Sequence, residues 1–369
     1  MSAQLDIQLI AVVVAVTCAL VGVFLVLRRM ALMSDAISHS ILLGIVGGFF
    51  LAGDISSPLP LLGAALTGLA TVWLVELLRG TALVKEDAAI GLVFPALFSI
   101  AVILIAQFAD HVHLDTDAVL LGELAFAPFR RFELGGRDLG PRSLWVMLGV
   151  LAAVLAFIVT FFKELKLTTF DPTLAAALGF SPTLVHYAFM GLVSVTAVGA
   201  FDAVGSVLVV ALMIAPPAAA YLLTDRLNVL LPLSAAIGAG CAIAGYWVAD
   251  ALDASIAGSM ATVAGVAFLA SFLFAPRRGL VVQARRRVNQ RVEFATVMLT
   301  IHLFHHEGTP EAQDENRLDH LEEHLRWSPA FARRIVERAE REELLSVGED
   351  GALRLSEPGR LTAQRALQR

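Results

Sequence analysis

The chain has 369 residues, 57% of them hydrophobic and 16% charged, with a mean hydropathy of +0.76 and a formal net charge of −6. A soluble protein carries about a quarter charged residues, so the composition excludes a wholly soluble chain, and the negative balance argues against bulk attraction to nucleic acid. Cys18 and Cys241 lie far apart in apolar segments and read as small core residues, with neither a disulfide framework nor a thiolate metal centre.

Up to about Pro276 the sequence is a series of apolar runs near the ~20 residues needed to cross a bilayer. Candidate spans fall at 7–27, 33–51, 59–78, 88–108, 144–162, 184–201, 204–215, 229–248 and 256–274. The first begins after Asp6 without a basic flank, as a true span does and a cleaved signal peptide does not. The run 204–215 is short and either tilted or partly embedded, so eight or nine crossings are both open. Basic residues follow alternate spans: Arg28 and Arg29, Arg79 and Lys85, Lys163 and Lys166, Arg226, then Arg277 and Arg278. Positive loops stay cytoplasmic, which predicts an outside N-terminus and a cytoplasmic C-terminus. Arg130, Arg131, Arg137 and Arg142 disagree, and the apolar stretch 118–129 before them reads as re-entrant.

Asp35 and His39 stand one helical turn apart inside the second run, on one face and close enough to share a ligand. A carboxylate near a bilayer centre costs about 2.5–3.5 kcal/mol, so such a residue lines a pathway or has a partner. Carboxylate and neutral imidazole suit divalent first-row metals. The loop DHVHLDTD at 110–117, with His111 and His113, either collects arriving metal or is a solvated acidic loop. Asp202 is intramembrane or interfacial. Pro216 and Pro217 lack N–H donors and are expected to break the preceding helix, after which the small residues of PPAAAYLLTDR form a short helix across the membrane face. The three lysines, Lys85, Lys163 and Lys166, sit in no phosphate-binding loop, so the chain is not a nucleotide hydrolase. Energy for pumping must come from a separate ATPase or from an ion gradient.

Three blocks carry a family resemblance: RMALMSDAISHSILLG at 29–44, FDAVGSVLVVALMIAPPAAAYLLTDRL at 201–227 and LDASIAGSMATVAGVAFLASFLF at 252–274. Together they resemble the permease subunits of ABC importers for manganese, zinc or iron, over most of residues 1–278. The proline usual in the third block is absent, Ser255 and Ile256 standing near its place. The resemblance implies that Asp35 and His39 line the translocation path and hold metal in passage. It also implies that Pro216, Pro217, Ala218, Tyr221, Leu222, Asp225 and Arg226 belong to the coupling helix that docks on the ATPase. Two ligands are too few for a closed site, and a homodimer or a pair with a paralogue would bring four together.

After Arg277 the chain turns polar. Helices are expected at 316–325 and 329–343, and the runs 344–347 and 352–355 flank the turn GEDG as a hairpin. That is the order of a winged helix, similar to the DNA-binding domain of diphtheria-toxin-repressor-type iron and manganese regulators, and the chain stops where their dimerisation and metal-sensing region would begin. Arg333, Arg334, Arg338 and Arg341 are interleaved with Glu337, Glu340, Glu342 and Glu343, unlike the clear basic face of a phosphate reader. Regulation of the transporter or contact with its ATPase is expected over transcription. His302/His306 and His320/His324 are each one turn apart and form either a cytoplasmic metal-sensing site or a solvated surface.

The expected protein is an all-α polytopic membrane protein of eight or nine transmembrane helices (1–280) followed by a small α+β winged-helix cytoplasmic domain (281–369). The expected function is permease of an ATP-driven importer of a divalent transition metal, manganese first, with zinc or iron as alternatives and no permanently bound cofactor. The expected setting is the bacterial inner membrane, with a cytoplasmic ATPase, an external or periplasmic metal-binding protein, a second permease and membrane lipid as partners, and no nucleic acid. Two rivals stand beside it: a proton-coupled secondary metal transporter with Asp35 as proton carrier, and a membrane-tethered, metal-responsive DNA-binding regulator.

Overall fold

The computed structural model describes residues 3–53, 57–81, 83–108, 124–129, 131–134, 137–309, 316–318, 321, 325–348 and 351–368. They form two compact units, Met1–Gly279 and Leu280–Arg369. In the first, α1 (Ala3–Leu27), α2 (Ala31–Ala52), α3 (Pro58–Gly80) and α4 (Glu86–Phe108) are followed by a 3-10 turn at Leu124–Phe129 and a hairpin of β1 (Arg131–Leu134) and β2 (Arg137–Pro141). Then come α5 (Arg142–Thr160), the short α6 (Phe162–Phe170) and α7 (Pro172–Ala177), α8 (Pro182–Val204), α9 (Ser206–Leu223), α10 (Leu227–Leu252) and α11 (Ile256–Phe274). Among the described residues, nine helices are long and apolar enough to cross a membrane, with the short run at 204–215 extended by α9 to Leu223.

Several starts are written in the sequence as an oxygen-bearing cap before proline, whose missing N–H costs nothing in the first turn. Ser57, Asp171 and Ser181 accept from the amides of Leu59, Leu174 and Leu184 at 3.3, 2.9 and 3.3 Å. The Thr173 hydroxyl and the Leu174 amide hold the Asp171 carboxyl below the usual carboxylate range.

In lipid the solvent is as apolar as the side chains, so helices associate by close packing and by hydrogen bonds between them. The small residues lie where this requires them. Gly44 of α2 and Gly63 of α3 face one another so closely that a Cβ on either would meet the other's carbonyl, and Gly48 sits against the Leu59 carbonyl. Beside this contact the Thr71 hydroxyl donates to Ser40 Oγ at 2.6 Å. Gly22 of α1 lies against the Met213 carbonyl of α9. The Ser194 hydroxyl of α8 donates to the Ala65 carbonyl of α3 at 3.0 Å. Ser34 and Ser38 satisfy their hydroxyls on the carbonyls of Ala31 and Ser34, at 2.7 and 2.8 Å, which removes the penalty of an unpaired donor in an apolar setting.

One expectation fails here, and a second falls half outside the described residues. Pro216 and Pro217 do not break their helix: both are buried inside α9, which ends only at Leu223. The Met213 carbonyl, which Pro217 cannot serve, is the one that faces Gly22; tight packing there holds the helix through the pair. The segment around 118–129 contains no re-entrant helix among its described residues: Leu124–Phe129 is a 3-10 turn leading into a hairpin, and 118–123 lie outside the described residues. Arg131 in β1 pairs with Asp138 at 2.7 Å and reaches Asp6, in the first turn of α1, at 4.0 Å. The hairpin therefore shares an end of the bundle with the N-terminus, and Arg131, one of the four basic residues that disagreed with the charge rule, is neutralised locally.

The second unit consists of α12 (Leu280–His306), α13 (Pro329–Arg341), β3 (Leu345–Val347), β4 (Leu353–Leu355) and α14 (Glu357–Leu367). The strands pair antiparallel, Leu345 opposite Leu355 and Val347 opposite Leu353. The core is built from Val292, Ala295, Leu299 and Leu303 of α12 against Ile335, Val336, Ala339, Leu345 and Leu353. The helix expected from 316 is absent at its start: Asn316–Leu318 form a turn in which Arg317 bridges to Ala352 and the Asn316 carbonyl accepts from the Leu353 amide at 2.7 Å. The rest of that stretch is only partly described.

Gly44→Leu should wedge α2 from α3 and destabilise the protein by about 1–3 kcal/mol or more, seen as a lower unfolding temperature in detergent. Gly47→Ala, where a Cβ meets nothing within 4 Å, should leave that temperature unchanged or slightly raised.

Candidate functional site

The tight turn after α1, with Arg29 in the left-handed region at φ 62°, reverses the chain and starts α2 at Ala31. At 1.5 Å per residue, Asp35 and His39 sit about 6 and 12 Å along the helix from that end. Their side chains lie on the same face, with His39 Nε2 3.4 Å from Asp35 Oδ1. Both are partly open, 39% exposed at Asp35 and 29% at His39. They are therefore not a sealed packing pair. The His39 ring is seated against α4, 5.8 Å from Phe94 and 6.0 Å from Phe98 between centroids. Farther along, Leu42 and Val46 of α2 close on Ala101 of α4, with Leu43, Phe98, Leu104 and Ile105 around them. An apolar seam thus adjoins the pair on one side while the other remains accessible. Two oxygen and nitrogen donors on one turn can take part of a divalent ion's coordination shell and leave the rest to water or another chain.

Sequence reasoning missed a polar hub at the same end of the bundle. Arg28, just after α1, donates from Nε to Thr169 Oγ1 and from Nη2 to Thr168 Oγ1, each at 3.1 Å, and lies 3.4 Å from His186 Nδ1. Its guanidinium also sits over the Phe189 ring at 5.0 Å. His186 Nε2 in turn approaches Glu76 Oε1 at 2.7 Å, off the line of a good hydrogen bond. Arginine can only donate, so the Nδ1 facing it is an acceptor and the ring proton belongs on Nε2, toward Glu76. Cation, neutral imidazole and carboxylate thereby join the end of α1 to α6, α8 and α3. Glu76 and His186 lie 110 positions apart with only apolar neighbours to mark them; the signal available was an acid and an imidazole, each alone in a predicted span.

The residues expected to contact an ATPase lie at the end of α9 and in the turn after it. Pro216 and Pro217 are buried, Ala218 and Leu222 half-buried, and Tyr221, Asp225 and Arg226 exposed. Asp225 accepts from Arg278, and from Arg277 at 3.5 Å. Arg278 also donates to the Tyr221 carbonyl at 3.3 Å and stacks 4.4 Å above its ring. The end of α11 is thereby clamped to the turn, beside a shallow cleft lined by Lys166, Phe170, Asp225, Arg226, Leu227 and Asn228.

In the second unit the His302 and His306 rings are 4.8 Å apart on α12. His320 and His324 lie outside the described residues, as do His111, His113 and the acidic loop around them. Among the described residues no three potential metal ligands cluster. Asp202 is exposed near the end of α8. On α13, Arg338 is paired with Glu342, just past the helix end, at 2.7 Å, so one of the interleaved arginines is neutralised locally.

The profile of the ABC 3 transport family matches residues 4–275. The zinc transport system membrane protein TroD of Treponema pallidum is 51% identical over 360 residues, covering 98% of this chain and 96% of the relative. The manganese transport system membrane protein MntD of Bacillus subtilis is 48% identical over 284 residues, 77% of this chain and 96% of the relative. Among solved structures, PsaBC from Streptococcus pneumoniae in complex with Fab superimposes with a TM-score of 0.63 at 30% identity, covering 75% of this chain and 94% of that one.

Arg28→Met should leave His186 and Glu76 without their cation. It also removes the hydrogen bonds to both Thr168 and Thr169, a combined cost of about 2 kcal/mol or more. Thr168→Val, which removes the hydrogen bond accepted from Arg28 and the hydroxyl's own bond to the Glu164 carbonyl, should be milder because Arg28 keeps Thr169 and the Phe189 ring, and unfolding curves in detergent would rank the two.

Proposed function

The chain belongs to the ABC 3 transport family, and from that premise we propose that it is the membrane permease of a bacterial importer for manganese or zinc, driven by a separate ATPase. The observation that carries the reading is the half-open Asp35–His39 pair, 3.4 Å apart, on a helix otherwise apolar or internally satisfied. The metal is the cargo. A carboxylate and an imidazole bind it during passage, and a second permease, an identical copy or a paralogue, supplies the facing donors around a two-fold axis. Few ligands suit a site that must also let go. Both metals stay in view because TroD is named for zinc and MntD for manganese.

An external metal-binding protein delivers the ion at the end bearing the β1–β2 hairpin. The ATPase engages the opposite end, at Tyr221, Leu222, Asp225 and Arg226, with Pro216, Pro217 and Ala218 setting the path of the helix that leads there. The N-terminus is outside and the C-terminus cytoplasmic in the inner membrane. The second unit is a winged-helix-like regulatory domain in which His302 and His306 start a metal-sensing site that slows uptake when metal accumulates.

The test is uptake into vesicles containing the chain, its ATPase and its binding protein, with manganese, zinc and iron in competition and ATP hydrolysis recorded. Asp35→Ala and His39→Ala should each cut uptake by more than about tenfold, the scale on which even supporting residues of metal sites act, with the complex still assembled. Normal uptake in both would place the path elsewhere, and vanadate-insensitive transport by the chain alone would favour the proton-coupled rival.

Asp225→Arg should uncouple ATP hydrolysis from uptake by repelling Arg277 and Arg278. The swap Asp225→Arg with Arg278→Asp should restore part of the coupling, measured as metal moved per ATP.

A further inference from the structure

The family profile ends at residue 275, and MntD, matched over 96% of its length, accounts for only 77% of this chain. The second unit is thus an addition to the family's shared part, and its first helix is longer than its own core needs. From Val292 onward α12 packs on its neighbours through Val292, Ala295, Leu299 and Leu303. The preceding stretch, residues 280–291, has no buried position. Four apolar side chains are open there: Leu280 (45% exposed), Val281 (51%), Val282 (36%) and Val288 (51%).

The charge of this stretch is one-signed. Residues 277–291 contain six arginines and no acid. Arg277 and Arg278 are bound to Asp225, and Arg291 lies over the Phe331 ring at 5.1 Å. Arg285, Arg286 and Arg287 remain exposed, without an ion-pair partner among the described residues. At 3.6 residues per turn, Leu280, Ala284 and Val288 rise in line with Val281 beside them, and Arg287 and Arg285 border this stripe on either side. An apolar stripe edged by arginines is the pattern of a helix lying in a membrane interface, its stems along the acyl boundary and its guanidinium groups at the phosphates.

Chain connectivity supplies the membrane. Leu280 is six residues after Phe274, the end of α11, so no conformation of the linker takes it more than about 22 Å from that span end. We propose that residues 280–288 form an interfacial helix that binds the anionic phospholipid headgroups of the leaflet bordering the end of α11. A nucleic acid would find the same charge, but only the leaflet also accounts for the apolar stripe and is always within reach. The inference rests on the multi-pass reading of the first unit; which leaflet is involved rests on the proposed orientation.

The test uses the full-length chain in nanodiscs, with Cys18 and Cys241, both buried, replaced by alanine and Val288→Cys carrying an environment-sensitive fluorophore. In discs with one-third phosphatidylglycerol, doxyl-labelled lipid should quench the probe, and high salt should relieve the quenching by shortening the screening length. Each arginine near an anionic surface favours the bound state about fivefold, so Arg285→Gln/Arg286→Gln/Arg287→Gln should reduce it about a hundredfold, as should discs of phosphatidylcholine alone. Equal quenching in all discs and in the triple variant, or quenching in none, overturns the proposal. So does a probe shielded only when the ATPase subunit is added, with no quenching by lipid. A separate arm treats intact cells bearing the unlabelled Val288→Cys variant with a membrane-impermeant maleimide: reaction before permeabilisation would overturn the cytoplasmic orientation alone, and reaction only afterwards supports it.

Discussion

The approach of α2 to α3 at Gly44 and Gly63 is the contact on which the membrane unit depends. Helices in lipid gain little from apolar contact as such, because lipid offers the same contact. What fixes their rotation is fit, and backbone against backbone is the fit that tolerates least error. The Ser40–Thr71 hydrogen bond pins the same pair of helices a turn away. With α2 so oriented, the residues on its remaining side are committed: His39 rests on Phe94 and Phe98 of α4, and Asp35 opens beside it. The location of the Asp35 and His39 side chains is thus decided by two residues with no side chain at all.

The charged groups of this unit are distributed by the same economy of solvation. Deep positions hold hydroxyls that turn back on their own helix, as at Ser34 and Ser38, or reach a neighbouring one, as from Ser194 to Ala65. Two groups of full charges near helix ends have partners in place: Arg28 with Thr168, Thr169 and His186, which meets Glu76, at one end, and Arg131 with Asp138 and Asp6 at the other. Each group draws together elements distant in sequence, so desolvation, which makes lone charges costly, here selects the tertiary arrangement in which they meet.

Much of this could be read from the residues in order. Apolar length gave the spans, because it depends on neighbours in sequence. The i, i+4 spacing of Asp35 and His39 likewise placed them together without knowledge of the fold. What could not be read depends on contacts across the bundle. Proline rules predicted a break at Pro216, yet the close fit of Gly22 to the Met213 carbonyl carries the helix through. The hub of Arg28, His186 and Glu76 has no local signature, since each residue alone is merely a polar group near a span end. The β1–β2 hairpin escaped notice because Arg131 and Asp138 look like loop charges until Asp6 is brought beside them. The Asn316–Leu318 turn was misread for a similar reason, its bridge to Ala352 being made across the sheet.

Asp35 and His39 ride on a single turn of α2, so their backbone spacing is fixed and only side-chain rotation alters the reach of one to the other. A rigid-body motion of the chain leaves this two-pronged clasp unchanged and alters only what stands opposite. In the proposed permease pair, retention of an ion is graded in whole donors: a clasp facing water holds loosely, and a clasp facing a second clasp holds firmly. The dwell time of the proposed cargo is then a readout of helix-to-helix separation, and moving helices sets the moment of release without touching the chemistry of either side chain.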